Sequence, residues 1–190
     1  MKPKRSKGTL TVIAGPMFSG KTGKLVAMVE VFTRMGHKVL TVKPALDARY
    51  SDKNEIYSHD HRKTPALVVD GLSPERIIDT IVKQGVDKVI VDEVQFFDKE
   101  KVLDIIKKLK KLGLHVIASG LMYDYMRRPF GATPELMGLA DERLELMAVC
   151  QKCGSLARHS ERVKGNQSQV DVGAADKYIA VCERCHRIYR

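Results

Sequence analysis

The chain has 190 residues, 44% of them hydrophobic, with 33 Lys and Arg against 23 Asp and Glu for a formal net charge of +10. Such a length holds one domain with room for a small appendage, and the apolar fraction excludes wholesale disorder. No apolar run approaches the ~18–20 residues that span a bilayer and no signal-type apolar core opens the chain, so the expected setting is soluble and cytoplasmic, where four cysteines read as metal ligands rather than disulfides.

Residues 1–8 (MKPKRSKG) hold Lys2, Lys4, Arg5 and Lys7 with no acid, the composition of a basic, flexible tail. Thr9–Ala14, Val39–Lys43, Ala66–Val69, Lys88–Asp92 and His115–Ser119 then read as strands, short and nearly all apolar, as in a sheet covered on both faces. Helical patterns lie between them. Those beginning near Lys21 and Asp98 are closed by Gly36 and Gly113, and a third has Ser73 at its N-cap, Pro74 at its first position and Gly85 past its last turn. Lys107, Lys108, Lys110 and Lys111 alternate with Ile105, Ile106, Leu109 and Leu112 at helical spacing, which describes a wet outer face over an apolar stripe rather than a nucleic-acid groove. No nucleic-acid partner and no membrane is expected. Alternating strands and helices predict an α/β fold of the P-loop NTPase type: a RecA-like, mainly parallel sheet flanked by helices, spanning 9–148. From about residue 149 the rhythm changes to a β-rich lobe, 149–190, with turns at Cys153-Gly154 and Gly165-Asn166 and alternating valines around Asp171.

Gly15, Pro16, Met17, Phe18, Ser19, Gly20, Lys21 and Thr22 satisfy GxxxxGK[ST] at every fixed position, between a strand and a helix. Glycines let successive N–H groups curl around a polyphosphate at a positive helix end. Lys21 suits the β- and γ-phosphates of ATP, and the Thr22 hydroxyl suits Mg²⁺. The apolar run from Lys88 ends in two carboxylates, Asp92 suited to the metal shell and Glu93 placed beside the γ-phosphate to accept a proton from an attacking hydroxyl or water.

Cys150, Cys153, Cys182 and Cys185 form CxxC…CxxC. Four thiolates suit tetrahedral Zn²⁺ with no open position, a structural role in a lobe too small to bury a core of its own. A redox dithiol, or His186 in place of Cys185, is the weaker alternative.

Several runs resemble the small, zinc-containing thymidine kinases: the P-loop itself, Asp92-Glu93-Val94-Gln95-Phe96-Phe97, Arg128-Pro129-Phe130-Gly131, Ala148–Cys153 and Asp176–Cys182, in the family's order over nearly the whole chain after the tail. The resemblance implies transfer of the ATP γ-phosphoryl to the 5′-hydroxyl of thymidine with Glu93 as general base. It also implies an ATP and Mg²⁺ set that includes Asp47, Ala48, Arg49, Val94 and Gln95. Met17, Phe96, Leu121, Tyr125 and Phe130 would wall the base pocket, Val170, Asp171, Val172 and Gly173 would run past the base edge, and Tyr178 would close the site. A homotetramer and feedback inhibition by thymidine triphosphate are implied in the same way. The chain departs from the family's usual residues at Gly23-Lys24, Met122, Asp124, Tyr125, Met126, Arg158-His159-Ser160 and Ala174. The rival reading is a zinc-ribbon P-loop ATPase acting on nucleic acid; a non-catalytic nucleotide-binding regulator is a third.

Overall fold

A computed structural model describes residues 7–46, 54–57, 62–171, 173 and 175–187. In chain order the elements are β1 (Thr9–Ala14), α1 (Lys21–Arg34), β2 (Val39–Pro44), β3 (Glu55–Tyr57), β4 (Lys63–Pro65), β5 (Leu67–Val69), α2 (Arg76–Gln84), β6 (Lys88–Val91), a 3-10 turn (Val94–Phe96), α3 (Lys99–Lys111), β7 (His115–Gly120), α4 (Thr133–Leu139) and β8 (Glu142–Glu145). Four short strands follow, β9 (Ala148–Val149), β10 (Leu156–Ala157), β11 (His159–Arg162) and β12 (Tyr178–Val181).

Six strands form one sheet in the order β5-β2-β6-β7-β1-β8, and every pairing in it is parallel. The apolar strands alternate their side chains between two covered faces. Leu10 and Val12 of β1, Val42, Val91 and Ala118 point to one face, where Ile77, Ile81, Val102, Ile106, Leu109 and Leu136 of α2, α3 and α4 cover them. Ile13, Ile90 and Ile117 point to the other, against Leu25 of α1. Each fully buried aliphatic side chain stabilises by about 1.5–3 kcal/mol, which fixes the register of the central strands. The β3–β4 pair packs against α1 through Ile56, Ala66 and Val26.

Helix ends follow local chemistry. The Asp98 side chain accepts from the Lys101 N–H at 3.0 Å to cap α3, and Gly36, Gly85 and Gly113 follow their helices with positive φ. The lysines of α3 lie on its outer face, Lys108 paired with Asp104 and Lys110 with Asp141, both at 2.6 Å. Two expectations change. Leu112 is not part of the buried stripe; it stands past the last turn and is 47% exposed. Ser73 does not cap α2, which begins at Arg76, because Asp70 organises the preceding turn by accepting the Leu72 N–H at 3.0 Å. The segment around Asp171 is loop rather than strand among its described residues, and β11 and β12 pair on either side of it.

All six strands of the sheet run the same way, so their C-terminal ends form one rim. Ala14, Val91 and Gly120 deliver the P-loop, Asp92-Glu93 and the 121–130 segment to that rim, where open α/β sheets bind ligands.

Candidate active site

The 15–20 turn wraps tightly because its residues allow it. A Cβ on Gly15 would stand 2.6 Å from both the Leu146 carbonyl oxygen and the Ser19 hydroxyl, and Phe18 and Gly20 take φ of 63° and 83°. Lys21 opens α1 and is buried, its ammonium donating to the carbonyls of Gly15 (3.0 Å) and Pro16 (2.8 Å). The first turn of α1 holds no acidic residue, so the positive end of its dipole faces the turn uncompensated.

Asp92 joins this turn to the sheet. It is 2% exposed; its Oδ2 accepts from the Thr22 hydroxyl at 3.3 Å and its Oδ1 from the Ser119 hydroxyl and, at 3.0 Å, the Glu93 N–H. A hydroxyl and a carboxylate at the mouth of a phosphate-binding turn are the hard oxygen donors that fit Mg²⁺. Glu93 has φ 51° and ψ 47°, a left-handed conformation that a non-glycine residue adopts at a cost, and such strain concentrates at functional sites. Gln95 is buried and bridges two neighbourhoods: its amide nitrogen donates to the Glu93 carboxylate, and its Oε1 accepts the Leu121 N–H at 3.1 Å. Gly131 makes room for this bridge. Its φ is +56°, and a Cβ there would lie 2.4 Å from the Gln95 carbonyl oxygen. Gly131→Ala is therefore expected to destabilise the fold by at least the ~1–2 kcal/mol of left-handed strain, lowering the thermal midpoint. A midpoint equal to wild type in a melting scan would contradict this close approach.

Beside the turn, Met17, Phe96, Leu121, Tyr125, Phe130, Val170, Asp171, Gly173 and Tyr178 line one cleft enclosing about 400 Å³, open solvent at its mouth included. Phe96 and Phe130 meet edge to face at 5.7 Å. Of the residues assigned to phosphate, metal and base from the sequence, Asp47, Ala48, Arg49 and Val172 lie outside the described residues; the others gather at this rim. Sequence reading missed the residues that hold the rim together. Ser160 is one: its hydroxyl accepts the Met17 N–H at 2.9 Å, fastening β11 to the P-loop. Ser119, Asp124, Arg162 and Gln169 are the others.

The four cysteine sulfurs all lie within 4.8 Å of one another, with Cys153 and Cys182 at 3.6 Å. Sulfurs at ~2.3 Å from one tetrahedral Zn²⁺ would be separated by about 3.8 Å, so the cluster fits that ion. The second CxxC supplies both of its sulfurs, which removes the need for His186 as a ligand. The thiols hold their protons unequally: hydrogen bonds from Ser155 bring Cys153 down to about 6, while sharing with Cys153 and Cys182 pushes Cys185 up to about 12.

The sequence model of thymidine kinase matches residues 8–186. The chain belongs to the thymidine kinase family. A thymidine kinase of Pseudothermotoga lettingae is 39% identical over 183 residues, covering 94% of this chain and 95% of the relative. One from Fowlpox virus is 38% identical over 185 residues, 95% and 97% of the two chains, and one from Mesomycoplasma hyopneumoniae is 35% identical over 181 residues, 95% and 96%. Against that family the departures sort by position. Met122, Arg158 and His159 line a second recess, bordered by Ala14, Gly15, Pro16, Glu145 and Glu183. Tyr123, Asp124 and Ser160 line both, and of the departures among the described residues Asp124, Tyr125 and Ser160 line the first cleft.

Proposed function

We propose that the chain transfers the γ-phosphoryl of ATP to the 5′-hydroxyl of thymidine in an Mg²⁺-dependent reaction. The observation that carries the reading is the junction at Asp92. The Thr22–Asp92 hydrogen bond brings the phosphate turn and Glu93 to one end of the sheet, and Gln95 ties Glu93 to Leu121 in the wall of the adjoining cleft. Triphosphate on the turn and nucleoside in the cleft then meet at Glu93, the arrangement in-line transfer needs.

Lys21 and the backbone N–H groups of residues 18–22 bind the phosphates, and Thr22 and Asp92 would hold Mg²⁺, which supplies charge neutralisation on the transferring group. Glu93 accepts the proton from the nucleoside hydroxyl, its carboxylate oriented by Gln95. Asp47, Ala48, Arg49, Val94 and Gln95 complete the ATP side. The apolar walls at Met17, Phe96, Leu121, Tyr125 and Phe130 exclude water from the base, with Val170–Gly173 at its edge and Tyr178 over it. Residues 9–148 carry the nucleotide, and 149–190 form a lobe held by one structural Zn²⁺ on Cys150, Cys153, Cys182 and Cys185. The family likeness further supports a cytoplasmic homotetramer inhibited by thymidine triphosphate; no helix among the described residues is long and apolar enough to cross a membrane.

A panel of deoxynucleosides with ATP and Mg²⁺, scored for monophosphate, tests the reading. Thymidine is expected to be the best acceptor, with little ATP hydrolysis in its absence. No monophosphate from any nucleoside, together with hydrolysis stimulated by DNA or RNA, would establish the rival ATPase instead.

A further inference from the structure

We propose that Arg162 is the positioning residue of the nucleoside site, its guanidinium holding the 166–169 loop and Tyr178 in the arrangement that receives the base. The inference rests on the nucleoside-kinase reading of the cleft. Arg162 is 4% exposed, at the end of β11, in a stretch of sequence (His159-Ser160-Glu161-Arg162) that is wholly polar. Its Nε donates to the Tyr178 hydroxyl at 2.9 Å, one terminal nitrogen to the carbonyls of Asn166 (2.7 Å) and Ser168 (2.6 Å), and the other to Gln169 (3.2 Å) and again to Tyr178 (2.5 Å). A guanidinium has five N–H donors, and here each has an acceptor. The same group stacks on Tyr125, its central carbon 3.9 Å from the ring centre.

The loop has no apolar core to order it, and beside the Arg162 bonds it is tied by Val163 N–H to the Lys177 carbonyl (2.8 Å) and Asn166 N–H to the Asp171 carboxylate (3.0 Å). Residues 163–170 are all exposed, so apolar burial contributes almost nothing to their placement, and such segments open locally at low cost. Their order comes from polar ties, of which Arg162 makes the most. Tyr125 donates to the Gln167 carbonyl at 2.9 Å, and the Gln169 amide donates to buried Asp124 at 2.9 Å. The Tyr178 hydroxyl, receiving Arg162, donates onward to the Asp171 carbonyl at 2.7 Å. One buried side chain thus sets three loop carbonyls and the tyrosine at the edge of the cleft. Lysine cannot replace it: an ammonium has three donors around one point and cannot span acceptors on both the loop and Tyr178.

The test is Arg162→Lys in the zinc-loaded full chain, read two ways. Hydrogen exchange of the amides in 163–171, with no substrate present, is expected to speed by at least about tenfold, the factor set by losing one charge-assisted bond. The KM for thymidine is expected to rise by at least about tenfold with a much smaller fall in kcat and an unchanged KM for ATP. Gln169→Leu, which removes only the Asp124 tie, gives a smaller change in the same direction and serves should Arg162→Lys fail to fold. Unchanged exchange with an unchanged thymidine KM would overturn the proposal, as would equal losses toward nucleoside and ATP, which mark general damage. Wild-type protein inactive on every nucleoside would refute the kinase reading instead, while the exchange measurement would still decide whether Arg162 holds the loop.

Discussion

Glu93→Gln is expected to lower kcat by about 10²–10⁴-fold while ATP binding stays at its wild-type value. The substitution keeps size and shape but cannot take a proton at neutral pH. It also keeps an oxygen able to accept from the Gln95 amide, so the link from Gln95 to Leu121 survives. The backbone at residue 93, with φ 51°, pays the same strain in either form. What changes is the acceptor for the hydroxyl proton. Single-turnover phosphoryl transfer measures the chemical step, and calorimetric titration with a non-hydrolysable ATP analogue measures binding. A rate within a few-fold of wild type would mean that Glu93 is not the base. A loss of nucleotide affinity matching the loss of rate would instead make it a ligand of the phosphate and metal site.

How far the sequence speaks depends on the length scale of the interaction. The sheet was legible because Leu10–Ala14, Leu40–Val42 and Val89–Val91 are buried on both faces, and double burial leaves nearly continuous apolar runs, broken here by Thr11 and Thr41. The phosphate turn was legible because glycine geometry and helix start demand fixed spacing, and Asp92-Glu93 because a strand ending in two acids needs a reason. The β3–β4 pair was not, since three-residue strands carry no periodicity, and neither was α4, a seven-residue helix whose Pro134 and Gly138 resemble loop composition. Arg162, Ser160 and Asp124 were hidden for a different reason. Their importance lies in partners far along the chain or across a loop, as with Ser160 and Met17, 143 residues apart. A polar residue buried by such a contact looks, in sequence, like any solvated one. Family likeness pointed to the cleft walls but not to these ties, because it transfers positions rather than interactions.

Removal of zinc should abolish nucleoside phosphorylation by more than about 10²-fold while leaving nucleotide binding largely intact. The lobe buries few aliphatic side chains: among the described residues these are Ala157, Ala180 and Val181, with Ala148 at its border, beside Cys150 and Cys182. Three alanines and a valine cannot offset the ordering of some forty residues at ~1–2 kcal/mol each, whereas a four-thiolate zinc site contributes about 10–16 kcal/mol to the folded form. The two sheet-face cores, built on Leu10, Val12, Ile13, Ile90 and Ile117, involve none of these residues and should persist. Loss of the lobe releases Ser160 from Met17 and takes Arg162 and Tyr178 out of the cleft, so the nucleoside site fails before the phosphate turn does. Cys182→Ser or exhaustive chelation, with metal content verified as falling from about one ion per chain to none, gives the preparation. Far-UV circular dichroism should retain most of its helical signal, since α1 to α4 all precede Cys150. Full activity in a preparation shown to be metal-free would separate the cysteine cluster from nucleoside binding, and collapse of the whole helical signal would show that the lobe supports the sheet as well.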